Sequence, residues 1–119
     1  MRYLCMVYFD EAAMEALSPE AYADLARQCR EGDADLEAKG QLVFASPLDR
    51  VKNARTVRLR DGRLSTTDGP FAETKEQLGG FIVVEADSID AALAVAERSP
   101  FAKLGCVEVR EMRDPGHRG

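Results

Sequence analysis

The run Tyr3-Leu4-Cys5-Met6-Val7-Tyr8-Phe9 restricts the fold more than any other part of the chain. It is short, apolar and rich in aromatic residues, the composition of a β-strand. Side chains along a strand alternate between faces, so Tyr3, Cys5, Val7 and Phe9 point one way and Leu4, Met6 and Tyr8 the other. Both sets are uncharged. A strand that is apolar on both sides is normally covered on both sides. Phe81-Ile82-Val83-Val84 repeats the pattern. At least two strands therefore need a layer of cover above and below.

The rest of the chain supplies cover for one side only. Its 119 residues amount to one domain. Ser18-Pro19-Glu20 combines a cap, a first-turn proline and an acid, and predicts a helix running to about Lys39 and ending at Gly40. Tyr22, Leu25, Ala26, Cys29 and Leu36 recur at helical spacing and predict one buried face, with Asp33 on or beside that stripe. Strands are expected over 41–46 and 80–86, and a hairpin over 56–67 turning at Asp61-Gly62. A helix capped by Ser88 and a last strand over 105–112 complete the set. Strand–helix–strand, hairpin, strand–helix–strand predicts an α+β, ferredoxin-like sandwich: an antiparallel sheet with two helices on one face. The bare face then calls for a second copy, so a homodimer is expected. The domain spans residues 1–112, and the polar residues 113–119 read as a flexible tail.

Composition excludes several partners. Sixteen basic against twenty-one acidic residues give a net charge of −5, which argues against nucleic acid. No apolar run approaches membrane-spanning length, so no membrane association is expected. Cys5, Cys29 and Cys106 show no paired spacing, which suits a reduced, cytoplasmic protein without a metal site. The one histidine, His117, lies in the tail, leaving an ordered site without the commonest general base. No cofactor is implied.

The segment from Thr66 to Phe81, Thr-Thr-Asp-Gly-Pro-Phe-Ala-Glu-Thr-Lys-Glu-Gln-Leu-Gly-Gly-Phe, resembles the signature of the DGPF group of YCII-related proteins. The opening Tyr3–Tyr8 and the closing Gly105–Arg110 resemble the same group. The resemblance implies a dimeric α/β barrel, two ferredoxin-like sheets packed face to face. That wider fold also includes muconolactone isomerases, antibiotic-synthesis monooxygenases and a dehydrochlorinase. Many members of the group are encoded beside extracytoplasmic-function sigma factors, which implies a regulatory role as the alternative to an enzymatic one. The enzyme-like branch carries a histidine on the first helix and an aspartate before a Pro-Phe pair; those positions fall here at Cys29 and Ser99.

Candidate chemistry concentrates in the loop carrying that signature. Asp68 and Glu73 are candidate bases and Lys75 a candidate stabiliser of negative charge. Asp68-Gly69-Pro70-Phe71 also has the composition of a plain tight turn, and Glu73 and Lys75 that of a solvated loop. Phe71 and Phe81 are candidate apolar walls, and Arg58 and Arg110 candidate carboxylate binders. Cys29 reads as core rather than nucleophile. Two functions follow: a cofactor-independent lyase or isomerase acting on a small organic acid, or a non-catalytic regulatory protein.

Overall fold

The computed structural model describes residues 1–117. In chain order the elements are β1 (Arg2–Phe9), α1 (Glu11–Glu15), α2 (Pro19–Ala38) and β2 (Leu42–Pro47). After a 3₁₀ turn (Val51–Asn53) come β3 (Arg55–Arg60), β4 (Arg63–Asp68), β5 (Gln77–Glu85), α3 (Ile89–Glu97), α4 (Phe101–Leu104) and β6 (Cys106–Glu111). The fold is mixed α+β. A four-stranded antiparallel sheet has the order β2-β5-β1-β6, while β3 and β4 form a separate two-stranded sheet. The described residues close no barrel, and the strand order is consistent with a ferredoxin-like arrangement. No helix among the described residues is long and apolar enough to cross a membrane.

Local signals fix the element ends. The Ser18 Oγ accepts from the Ala21 N–H at 3.1 Å and the Ser88 Oγ from the Ala91 N–H at 3.1 Å, so both long helices start on serine caps. Gly40, at φ +71°, ends α2. The hairpin turns on Asp61 and Gly62, both at positive φ, the geometry that matches the twist of the flanking strands. Two short helices, α1 and α4, fall outside the elements expected from sequence. The Asp10 carboxylate starts α1 by accepting from the Ala12 N–H at 3.1 Å.

The two faces of β1 have different fates. Tyr3 and Cys5 are 1% exposed and pack with Leu36, Val84, Ala86 and Ala92 beneath the helices. Leu4, Met6 and Tyr8 stay half-buried on the opposite face, beside Val83, Phe81 and Leu78 of β5. Phe44 of β2 joins them, its ring 5.9 Å from that of Phe81. Among the described residues no helix covers this side, and they form a plate 48 × 43 × 18 Å.

The stripe on α2 is buried at only two points, Leu25 and Leu36. Tyr22, expected in the core, is 56% exposed. Its half of α2 stands away from the sheet and leaves a cleft between them.

Candidate functional site

The cleft has a volume of about 920 Å³. Its floor comes from β1, β2 and β5, its roof from α2, and its far wall from the end of α3 and the start of α4. The packing that shapes it depends on small residues. At Gly79 the partner of Tyr8 slips from Gly79 to Leu78, a bulge in β5. A methyl on Gly79 would lie 2.1 Å from the Phe9 ring, so the glycine lets that ring lie flat against the strand. Phe9 then stacks on Phe101, centroids 5.4 Å apart, and both rings line the cleft.

Polar groups converge on these apolar walls. Cys29 and Asp33, one helical turn apart on α2, both face the cleft. Burial pushes the Asp33 carboxyl above the ordinary aspartate range. Burial also raises the Cys29 thiol; the Asp33 carboxylate adds to that shift and the Arg30 guanidinium opposes it. The Ser99 hydroxyl oxygen accepts from the Phe101 N–H at 3.2 Å and starts α4 at the cleft wall.

Four carboxylates and three arginines line the cleft. Arg50 pairs with Glu11, at 3.7 Å, and with Glu15. Asp35 pairs with Lys39 at 3.0 Å. Asp33, Arg30 and Arg98 also line the cleft, and none of the three forms an ion pair among the described residues. Arg30 and Arg98 thus bring two unpaired guanidiniums, and Asp33 a carboxyl shifted upward by burial, to a cleft whose lining includes the Phe9 and Phe101 rings.

The loop singled out by sequence lies next door. Glu73 and Lys75 are exposed and line a shallow depression of about 400 Å³ with Asp10, Lys52 and Gly69. Glu11 lines both this depression and the cleft, so the two adjoin. Gln77 braces the loop, its Nε2 donating to the Ala72 and Thr74 carbonyls at 2.9 and 3.1 Å.

The other candidates are dispersed. Asp68 ends β4 and pairs with Arg55 at 3.1 Å. Beside it Gly69 takes φ +91°, and its N–H donates to the Ala54 carbonyl at 2.7 Å. Phe71 is 80% exposed, and the Arg58 Nη2 lies 3.5 Å from its carbonyl. Arg110 stands on β6 across from Leu4, on the sheet face that no helix covers. Asp68, Phe71, Arg58 and Arg110 line neither hollow. Phe81 lies along the cleft floor while its ring packs on Phe44. No cluster of histidine, cysteine and carboxylate fit to hold a metal occurs among the described residues.

Sequence reasoning passed over Asp33, Arg30 and Arg98. The legible signal was Asp33 itself, an acid on the apolar stripe of α2, one turn beyond Cys29.

A family model described as the YCII-related domain matches residues 1–114. An uncharacterised protein of Rhizobium meliloti (strain 1021) is 34% identical over 114 residues, covering 94% of this chain and 92% of its own. Among solved structures, 5-chloro-2-hydroxyhydroquinone dehydrochlorinase from Burkholderia phenoliruptrix AC1100, in complex with 2,5-dihydroxybenzoquinone, aligns over 100% of both chains. Its TM-score is 0.51 and its identity 19%, a likeness of fold.

Proposed function

The chain belongs to the YCII-related family, and from that premise we propose that it binds a small planar organic anion in the cleft between α2 and the sheet. The observation carrying this reading is the pair of unpaired guanidiniums, Arg30 and Arg98, at a cleft walled by the Phe9–Phe101 stack. The structural neighbour adds support: its ligand, 2,5-dihydroxybenzoquinone, is a planar ring whose hydroxyls are acidic.

Catalysis on such a ligand is of the cofactor-independent lyase or isomerase type. Asp33 moves the proton, because a carboxyl raised by burial sits closer to the working pH than an ordinary aspartate. Arg30 or Arg98 holds the ligand's charge. Glu73 and Lys75 stand at the entrance, in the depression that shares Glu11 with the cleft. Binding without turnover is the second reading. It is favoured by Cys29 and Ser99, which stand where enzyme-like members of the family carry the histidine and the aspartate.

The same reading pairs two copies through the sheet face that carries Leu4, Met6, Tyr8, Phe44 and the Phe81 ring, to give a dimeric α/β barrel. A chain that sediments at its monomer mass of 13.1 kDa at micromolar concentration contradicts the pairing.

Calorimetric titration with 2,5-dihydroxybenzoquinone and with benzoate tests the ligand class. Binding weakened about tenfold, or about 1.4 kcal/mol, by Arg98→Met or Arg30→Met is expected. Asp33→Asn should leave binding and remove any turnover. The reading fails if neither probe binds in the millimolar range, or if both arginine variants bind as the wild type does.

A further inference from the structure

The cleft is larger than one ring requires. The residues of α2 that line it run from Pro19 to Leu36, about 25 Å along the helix axis. The neighbour's ligand, 2,5-dihydroxybenzoquinone, has about ten non-hydrogen atoms. Even at the roughly 30 Å³ that each molecule of liquid water takes up, such a ring fills about a third of the 920 Å³. The lining of α2 also changes character partway along. Pro19, Tyr22, Leu25 and Ala26 are apolar, whereas Gln28, Cys29, Arg30, Asp33 and Asp35 are polar or ionisable. Leu36, beyond them, belongs to the core.

Other elements follow the same division. Leu36 of α2 and Ala92 of α3 share the core. Counting back from Leu36 and forward from Ala92 both lead toward the end of β1, and Arg30 and Arg98 each stand about 9 Å along their helices from that point. Tyr22 lies about 12 Å beyond Arg30. Met14 and Leu17 line the cleft just ahead of α2, and β2 doubles back from Gly40 to bring Pro47 and Leu48 to that same end. Tyr22 and Leu48 are 56% and 44% exposed although both line the cleft, so its apolar end holds side chains without cover. The charges there, Arg50 with Glu11 and Glu15, are paired with one another.

We propose that the ligand is amphipathic: an anionic ring seated at the level of Arg30 and Arg98, carrying an apolar chain that runs along α2 to Leu17, Tyr22 and Leu48. The ring's seat is the one proposed above, on which this inference rests, and the chain fixes the class of substrate. An aliphatic chain covers the exposed apolar side chains and removes its own surface from water. Water at that end would find few free polar partners. The ring meanwhile keeps its charge beside the two guanidiniums.

Calorimetric titration of the full chain with benzoate and with para-hexylbenzoate tests the chain's seat. A buried methylene tightens binding by up to about fourfold, so the hexyl compound should bind at least about tenfold more tightly than benzoate. Tyr22→Ser/Leu48→Ser should lose most of that gain and leave benzoate within about twofold of its wild-type affinity. Both side chains are exposed, so circular dichroism should show an intact fold. Arg30→Met/Arg98→Met should weaken the two ligands alike. A hexyl gain below about tenfold, or a gain that survives Tyr22→Ser/Leu48→Ser, overturns the chain's seat and leaves the anion reading standing. If the arginine variant binds both ligands as the wild type does, or neither ligand binds in the millimolar range, the anion reading falls and the amphipathic ligand with it.

Discussion

Gly105 joins α4 to β6 at the point where the chain passes closest to β1. Its N–H donates to the Phe101 carbonyl at 2.9 Å, so its position and that of the Phe101 ring are coupled. A Cβ built there would lie 1.9 Å from the Tyr8 carbonyl oxygen, 2.9 Å from its carbon and 3.0 Å from the Phe9 Cα. A carbon–oxygen contact normally settles at roughly 3.3 Å, so Gly105→Ala demands a shift of about 1.4 Å. All three obstructing atoms are backbone of the central strand, so no rotamer change relieves them. Overpacking that side chains can absorb costs about 1–3 kcal/mol, and this site belongs at or above the top of that range. A loss of about 3 kcal/mol lowers the melting temperature of a domain this size by roughly 10 °C. Gly32 is the internal control: it is exposed within α2, and a Cβ there meets nothing within 4 Å. Gly32→Ala should therefore stabilise by about 0.5–1 kcal/mol. Urea unfolding of the two variants, with unchanged m-values, measures both effects. A Gly105→Ala protein within about 0.5 kcal/mol of wild type would show that the α4–β6 junction does not lie against Tyr8, and the wall of the cleft would have to be redrawn.

Gly79→Ala forces the Phe9 ring off its stack with Phe101, and unfolding experiments should show a loss of about 1–3 kcal/mol together with weaker ligand binding. Burial raises the Asp33 pKa, so the native state holds that proton more tightly than the unfolded state. Stability then falls as pH rises from the ordinary aspartate value of about 3.9 to the raised native value, and the loss persists above it. Asp33→Asn should accordingly stabilise at pH 7 and do little near pH 3; a larger gain at the acid end contradicts the assignment. Ending the chain after Arg113 should shift the melting temperature by less than about 2 °C, because the contacts of 114–117, the His117 ring with Arg113 and the His117 N–H with the Asp114 carbonyl, are local and exposed.

How far the structure was legible in the sequence depends on whether a feature is local. Serine caps, the Gly40 stop and the Asp61-Gly62 turn act within a few residues, and the helices and hairpin lie close to where those signals put them. The alternation in β1 carries further: Tyr3, Cys5 and Val7 are buried, while Phe9 and the opposite set Leu4, Met6 and Tyr8 stay half-buried. Separation between elements has no local signal. Nothing in the spacing of Tyr22, Leu25 and Cys29 distinguishes a helix pressed onto its sheet from one that stands off it, so a cleft wall read as core. The loop from Asp68 to Lys75 attracted attention through its density of charge, but charge density does not encode concavity. The residues that line the larger hollow come from α2, β1, β2, β5 and the α3–α4 junction, a set assembled only by the tertiary fold.

That assembly bears on which group in the cleft can carry a proton. Burial and the neighbouring Asp33 carboxylate both hold the Cys29 thiol protonated. A thiol in that state is a poor nucleophile and a poor base. Asp33 stands one turn further along the same helix, at the i+4 position whose side chain shares the inward face. There a carboxyl in partial burial is shifted upward from the ordinary aspartate range. The two groups cannot both ionise cheaply at such close quarters, since each charge disfavours the other. An ionised Asp33 therefore keeps the thiol beside it neutral, and of the two groups Asp33 is the first to give up its proton as pH rises. Cys29→Ser, which keeps the size and removes the titration, should leave ligand affinity unchanged and leave the pH dependence of any turnover with Asp33. A profile that moves with Cys29 rather than with Asp33 would assign the proton to the thiol.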